Sequence, residues 1–206
     1  MSTTSRVPLT DRGRRTREKL LLAARAVFEE RGYEDTRMSD IARAAKVSHG
    51  TVYTYFDSKD QVLREACATF VDDIMTTMRV PDDLRSDPAV RLFEGHRRYL
   101  EAYSENARML EVVEQAAAGE PYFRDLVTHL RSVFLERAAG GLREFQKRGL
   151  ADPGLDPEMV APALVGMAEA FARRWHLLGE QYDVDDVARL LATLWLRAAG
   201  VEVSRV

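Results

Sequence analysis

The sequence predicts an all-α protein of about nine helices, an expectation that rests on three observations. Apolar residues recur at spacings of three and four along most of the chain, as in Leu20-Ala24-Val27-Phe28 and Val187-Leu191-Leu194-Ala198. No stretch alternates apolar and polar residues as a strand does, and no repeat or low-complexity tract interrupts the pattern. Helix punctuation stands between the periodic segments. Asp87-Pro88 and Asp156-Pro157 each put a capping residue before a proline at the first helical position, and Gly32 and Gly179 stand where helices stop.

Residues 1–11 are polar, contain Pro8 and have no period, which predicts a disordered arm. The basic residues Arg12, Arg14, Arg15 and Arg17 follow. An amphipathic first helix carries Leu20, Ala24, Val27 and Phe28 and ends at Gly32. Met38, Ile41, Ala42 and Ala45 form one stripe of a second helix, with Thr36 as its expected N-cap, and a tight turn closes at Val47. Ser48 is the expected N-cap of a third helix whose Val52 and Phe56 face inward. His49, Gly50, Thr51, Tyr53, Thr54 and Tyr55 are left at its start or on its outer side.

Ser58 and Gln61 have the spacing of a capping box and open a fourth helix through about Met78, which Pro81 follows. The fifth helix starts at Asp87-Pro88, and a sixth is expected from about Asn106 to Ala118. A seventh runs from Tyr122 to about Arg148, with Gly140-Gly141 marking a kink or a close helix approach. The eighth carries Val160, Leu164, Met167, Ala168, Phe171, Trp175 and Leu178 on one broad face. The ninth begins near Asp183 and has two apolar stripes, more than one internal core needs, so the last two helices are expected to bury surface against a second subunit as a homodimer.

Composition narrows the function classes. With 206 residues, 46% of them apolar and 31% charged, the chain can bury a core without disulfides or metal. Cys67 is the only cysteine, and no apolar run approaches the roughly 20 residues needed to span a bilayer, so a cytoplasmic protein with no membrane partner is expected. The net charge of −3 conceals an asymmetry: residues 1–60 hold twelve Lys and Arg against nine Asp and Glu, and residues 1–25 hold seven against two. Such polarity suits a protein that meets nucleic acid with one end only.

The outer set on the third helix points the same way. A helix N-terminus can approach base edges in a major groove while hydroxyls grip phosphate oxygens, and Gly50, lacking a side chain, permits close approach. The ordered combination Phe28, Gly32-Tyr33, Thr36, Asp40-Ile41-Ala42, Val47-Ser48, Gly50-Thr51-Val52-Tyr53, Tyr55-Phe56 and Ser58-Lys59 resembles the DNA-binding motif of the tetracycline-repressor (TetR) family of transcriptional regulators. The match covers roughly residues 14–63; Arg37 departs from it, standing where the family often carries a second Thr. The resemblance implies a DNA-binding domain at 12–57 and an effector-binding and dimerisation domain at 58–206. It implies a repressor, released from a palindromic operator on double-stranded DNA by a small molecule. The expected DNA-contacting residues are Arg14, Arg15, Thr36, Arg37, Ser48, His49, Gly50, Thr51, Tyr53, Thr54, Tyr55 and Lys59.

For the effector, the apolar and amphipathic residues Phe70, Ile74, Phe93, His96, Tyr99, Tyr103, Met109, Phe123, Val127, Met167, Phe171 and Trp175 are the expected pocket lining. They imply an apolar or amphipathic ligand. His49, His96, His129 and His176 lie far apart with no zinc-ligand spacing, no phosphate-cradling or nucleophile motif occurs, and neither catalysis nor a cofactor is expected. The rival readings are a helical protein-interaction module and a helical enzyme acting on an apolar substrate.

Overall fold

The computed structural model describes residues 10–81 and 87–201, apart from the side chains at positions 69, 70, 72, 73 and 77. Within them every regular element is an α-helix: α1 (Asp11–Asp35), α2 (Met38–Ala44), α3 (His49–Tyr55), α4 (Lys59–Thr77), α5 (Pro88–Ala117), α6 (Pro121–Lys147), α7 (Pro157–Leu177) and α8 (Val184–Ala198). They form two compact units. The first takes the chain up to Asp73 together with Arg108–Asp125, and the second comprises Ile74–Ala107 and Leu126–Val206.

The first unit is wider than the three-helix domain expected at 12–57, because α1 to α3 do not close a core by themselves. Leu20, Ala24, Phe28, Ile41, Val52 and Phe56 are buried as their spacing predicts, and so are Val62, Leu63 and Cys67 of α4, Met109, Val112, Val113 and Ala116 of α5, and Phe123 of α6. Burying these side chains supplies most of the driving force; a helix of seven residues such as α2 or α3 is too short to persist alone.

Local chemistry sets the helix ends. Thr10 caps α1 by accepting from the Gly13 N–H at 3.2 Å, so helix begins at Asp11, inside the stretch expected to be a disordered arm; residues 1–9 lie outside the described residues. At Gly32 the backbone takes φ 78° and ψ 176°, a conformation essentially reserved for glycine, and one more turn runs on to Asp35. The expected cap of α2 is corrected. Arg37, not Thr36, occupies the N-cap position, and the Asp40 carboxylate accepts from the Arg37 N–H at 3.1 Å. Thr36 is 2% exposed, and its hydroxyl donates back to the Gly32 carbonyl at 2.6 Å.

In α4 the expected box is present in a shifted form. Ser58 Oγ accepts from the Gln61 N–H at 3.2 Å, and Gln61 Oε1 accepts from the N–H of Asp57 rather than of Ser58.

In the second unit the expected fifth helix does not end: it is one with the sixth, and the fused α5 carries on into the first unit. α5 runs through Asn106 unbroken because the Asn106 amide donates to the Ala102 carbonyl at 2.8 Å, folding back on its own helix instead of capping a new one. α6 likewise continues through Gly140-Gly141 with no change of backbone region. The core of this unit has two clusters. Leu100, Ala168, Ala172, Val187, Ala188 and Leu191 form one; Leu142, Phe145, Ala151, Leu164, Trp195 and Ala199 form the other, with the Phe145 and Trp195 rings edge to face at 5.6 Å.

Glu94 is buried with Arg97 and Arg98, whose hydrogen bonds, that from Arg97 foremost, hold its carboxyl below the usual carboxylate range. Asp156 and Asp183 cap α7 and α8 as their sequence context predicts.

Gly32→Ala is expected to destabilise the protein by about 1–3 kcal/mol, because the backbone region excludes a Cβ and that Cβ would lie 2.8 Å from Gln115 Oε1. A urea titration of wild type and variant measures it through the shift in midpoint.

Candidate nucleic-acid interface and ligand cavity

Between α2 and α3 the chain turns in four residues. Ala45 ends α2, Lys46 takes a left-handed φ of 53°, the Lys46 N–H donates to Arg43 O at 3.1 Å and the Val47 N–H to Ala42 O at 3.0 Å. This double closure is the Schellman arrangement that glycine usually serves, here with a lysine in the left-handed position. Nothing in the apolar spacing signals that strain. Ser48 then caps α3, its hydroxyl accepting from the Thr51 N–H at 3.2 Å and lying 2.8 Å from the Thr51 hydroxyl.

Val52 and Phe56 are buried, which fixes the roll of α3 and turns Ser48, His49, Gly50, Tyr53 and Thr54 to the outside, with Thr51 and Tyr55 half-buried. The His49 ring stands edge-on to Tyr53 at 5.0 Å, and Thr54 Oγ1 donates to the Gly50 carbonyl at 3.1 Å. No Cβ at Gly50 would meet an atom within 4 Å, so the surface there is open to backbone approach.

The remaining expected contacts divide. Arg37 is exposed, and no carboxylate pairs with its guanidinium among the described residues. Arg14 and Arg15 are exposed but sit on the first turns of α1 rather than on a free arm, Arg14 pairing with Asp11. Two of the expected contact residues are engaged within the head itself. Thr36 is buried and its hydroxyl is committed to Gly32, so it shapes the turn instead of touching a phosphate. Lys59 is half-buried: its ammonium donates to the carbonyls of Tyr33 at 2.6 Å and Glu34 at 3.3 Å and lies 4.2 Å from the centre of the Tyr33 ring. It ties off the end of α1, and only one of its three donors is left over.

Tyr33 itself is held by several groups. Its hydroxyl hydrogen-bonds Asp60, and burial together with that carboxylate pushes the phenol's pKa up, so it stays protonated as the donor.

A cavity of about 520 Å³ opens within the second unit. α5 contributes Arg91, Leu92, Gly95, His96 and Tyr99; α6 contributes Phe134, Glu136, Arg137, Ala138, Gly140, Gly141, Glu144 and Phe145; Leu164, Val165, Ala168 and Trp195 come from α7 and α8, and Met78, Arg79 and Val80 from the residues that follow α4. Of the residues expected to line a pocket, His96 and Tyr99 do so. Phe93, Tyr103, Met167, Phe171 and Trp175 pack on the first apolar cluster instead, Ile74 is core, and Met109 and Phe123 are fully buried in the other unit. Val127 is half-buried outside the cavity, and the side chain of Phe70 lies outside the described residues.

Sequence reasoning missed the wall that α6 provides, although Gly140-Gly141, marked there as an interruption, was the available signal: two residues without side chains leave room. Arg91 and Glu144 at the cavity neutralise each other at 2.5 Å. Burial lowers the pKa of His96 and keeps it neutral; its Nδ1 donates to the Leu92 carbonyl at 2.7 Å, which leaves Nε2 as an acceptor. Burial also pushes the Cys67 thiol up to about 12, so it is no nucleophile at neutral pH.

A helix-turn-helix head with its outer face exposed, together with a helical unit holding a cavity, defines a DNA-binding transcriptional regulator. The comparisons make the assignment specific. Residues 20–66 match the family model for bacterial regulatory proteins of the tetR family, and residues 88–197 match the tetracyclin repressor-like C-terminal domain. The chain belongs to the TetR family.

It is 30% identical over 183 residues to the HTH-type transcriptional repressor KstR2 of Rhodococcus jostii (strain RHA1), with 86% of each chain covered. It is 26% identical to the HTH-type transcriptional regulator YhgD of Bacillus subtilis (strain 168), over 85% of this chain and 92% of that one. Among solved structures, a TetR-like transcriptional regulator from Rhodococcus sp. RHA1 superposes with a TM-score of 0.73 at 27% identity, over 90% of this chain and 96% of that one. The protein is a regulator rather than an enzyme, in a family whose members bind DNA and typically dimerise and bind small-molecule effectors. Among the described residues no helix is long and apolar enough to cross a membrane.

Proposed function

We propose that the protein is a homodimeric repressor whose two α3 helices enter successive major grooves of a palindromic operator, about 34–36 Å apart. The observation that carries this reading is the roll of α3, which buries Val52 and Phe56 and turns Ser48, His49, Gly50, Tyr53 and Thr54 outward. Ser48, His49, Gly50 and Thr51 face base edges, and Arg37, Tyr53, Thr54 and Tyr55 hold phosphates, with Arg14 and Arg15 on α1 adding cations.

The dimer forms through α7 and α8, which is supported by the apolar side chains they leave uncovered: Met159 is 75% exposed, Leu190 45% and Leu194 38%, the last two one turn apart on α8.

The cavity holds an apolar or amphipathic effector whose binding releases DNA. Its lining supports this, being mostly apolar with His96 and Tyr99 as polar groups and both arginines and glutamates among its walls. Related proteins point to similar ligand chemistry: one structural neighbour is the ketosteroid transcriptional regulator KstR2 of Mycobacterium tuberculosis, another the fatty acid degradation regulator FadR of Bacillus halodurans.

Arg37→Ala is expected to weaken binding to every duplex and reduce the slope of log affinity against log salt by about one unit per subunit, whereas His49→Ala shifts sequence preference. Fluorescence anisotropy across a salt series separates the two, and an unchanged slope in Arg37→Ala removes it from the phosphate contacts. Leu194→Asp buries a charge in the proposed interface, so sedimentation velocity is expected to show monomer with helicity retained. A Cβ at Gly140 would meet no atom within 4 Å, so Gly140→Leu is expected to project its side chain into the cavity and fill part of it. Binding of the amphipathic anionic dye anilinonaphthalene sulfonate should fall at least tenfold in that variant while DNA binding persists.

A further inference from the structure

The last turn of α1 is tied down from three other helices of the first unit, and the ties differ in kind. α4 supplies Lys59, donating to the Tyr33 and Glu34 carbonyls, and Asp60, accepting from the Tyr33 hydroxyl. α6 supplies Phe123, whose ring meets that of Tyr33 edge-on at 6.3 Å. α5 supplies Gln115: its Oε1 accepts from the Tyr33 N–H at 2.9 Å, across 82 residues of sequence, and lies against Gly32 where a Cβ would stand.

Lys59 is the last residue of the motif, Asp60 follows it directly, and Phe123 is core. Gln115 is neither. It is exposed, nothing about the packing of α5 requires an amide there, and its oxygen meets the one backbone donor that directly follows the glycine-only turn.

We infer that Gln115 is a positioning residue for DNA recognition: it fixes the end of α1, and through that turn the direction in which α2 and α3 leave it, without touching DNA. The reason is geometric. α2 begins three residues after Asp35, so any freedom at Gly32-Tyr33 becomes freedom in where the Ser48-capped helix presents its N-terminus. Freedom of that kind costs affinity because recognition needs both copies of α3 in register with the duplex at once. The inference rests on the DNA-binding role of α3.

The test uses the full-length protein and a duplex that the wild type selects from a random-sequence pool. Gln115→Ala removes the acceptor while favouring helix, so the fold is retained, and circular dichroism checks this. Affinity is expected to fall about tenfold, with the salt slope unchanged because no phosphate contact is lost. Amide exchange at Tyr33 and Glu34 is expected to quicken with the melting temperature unaltered. Gln115→Glu keeps an oxygen acceptor and is expected to stay within threefold of wild type. Affinity within twofold of wild type in Gln115→Ala overturns the inference, as does an equal loss in Gln115→Glu, or a loss matched by faster exchange throughout the chain. If the wild type selects no sequence at all, the DNA-binding reading fails first, and the two failures are distinguishable.

Discussion

The rest of the structure depends on how α1 ends. A helix terminus leaves its last carbonyls without partners, and burying it beside two further short helices is unfavourable unless those groups are satisfied. Here three of them have partners: Thr36 donates to the Gly32 carbonyl, Lys59 to those of Tyr33 and Glu34, and Gly32 adopts the backbone region that lets the chain turn there. Because this single turn sets the direction of α2, and α2 with Lys46 sets that of α3, the outer face of α3 inherits its geometry from the end of α1.

That arrangement separates stability from specificity. α3 is held by two inward side chains and a serine cap, so its outer residues carry no packing duty and are free to be whatever a particular operator demands. The buried Asp40 works on the inner side of the same motif, accepting from the Arg37 N–H and from Arg43 at 2.6 Å, which keeps the start of α2 in place beneath an exposed Arg37. Charge follows the same division: the first sixty residues carry a net positive charge, and the excess of carboxylates lies in the rest of the chain.

The second unit has a different logic. Its helices are long and cover each other with apolar faces, yet the Gly140-Gly141 step of α6 withholds side chains where α5 and α7 supply His96, Tyr99 and Leu164, and space remains. A neutral imidazole with one nitrogen bonded to its own helix and the other available is a selective feature in such a space, since it accepts a hydrogen bond without presenting a charge. α5 also contributes Gln115 to the first unit, so one continuous helix supplies residues both to the cavity and to the hold on α1.

Several features were legible in the sequence because they are local. The all-α class, the positions of Gly32, Ser48, Asp156 and Asp183, and the inward pair Val52 and Phe56 follow from periodicity and capping chemistry, which act within a few residues. The ordered motif from Phe28 to Lys59 identified the family for the same reason. Tertiary structure alone decided the rest. It buried Thr36, withdrew Lys59 into the frame of the head, and enlisted Gln115 and Phe123 from distant sequence. It also chose which apolar side chains became core and which became cavity wall. Spacing along a helix says which face is apolar, but whether that face meets another side chain or empty space depends on what the opposing helix brings, and that partner is set by the fold and not by the local sequence.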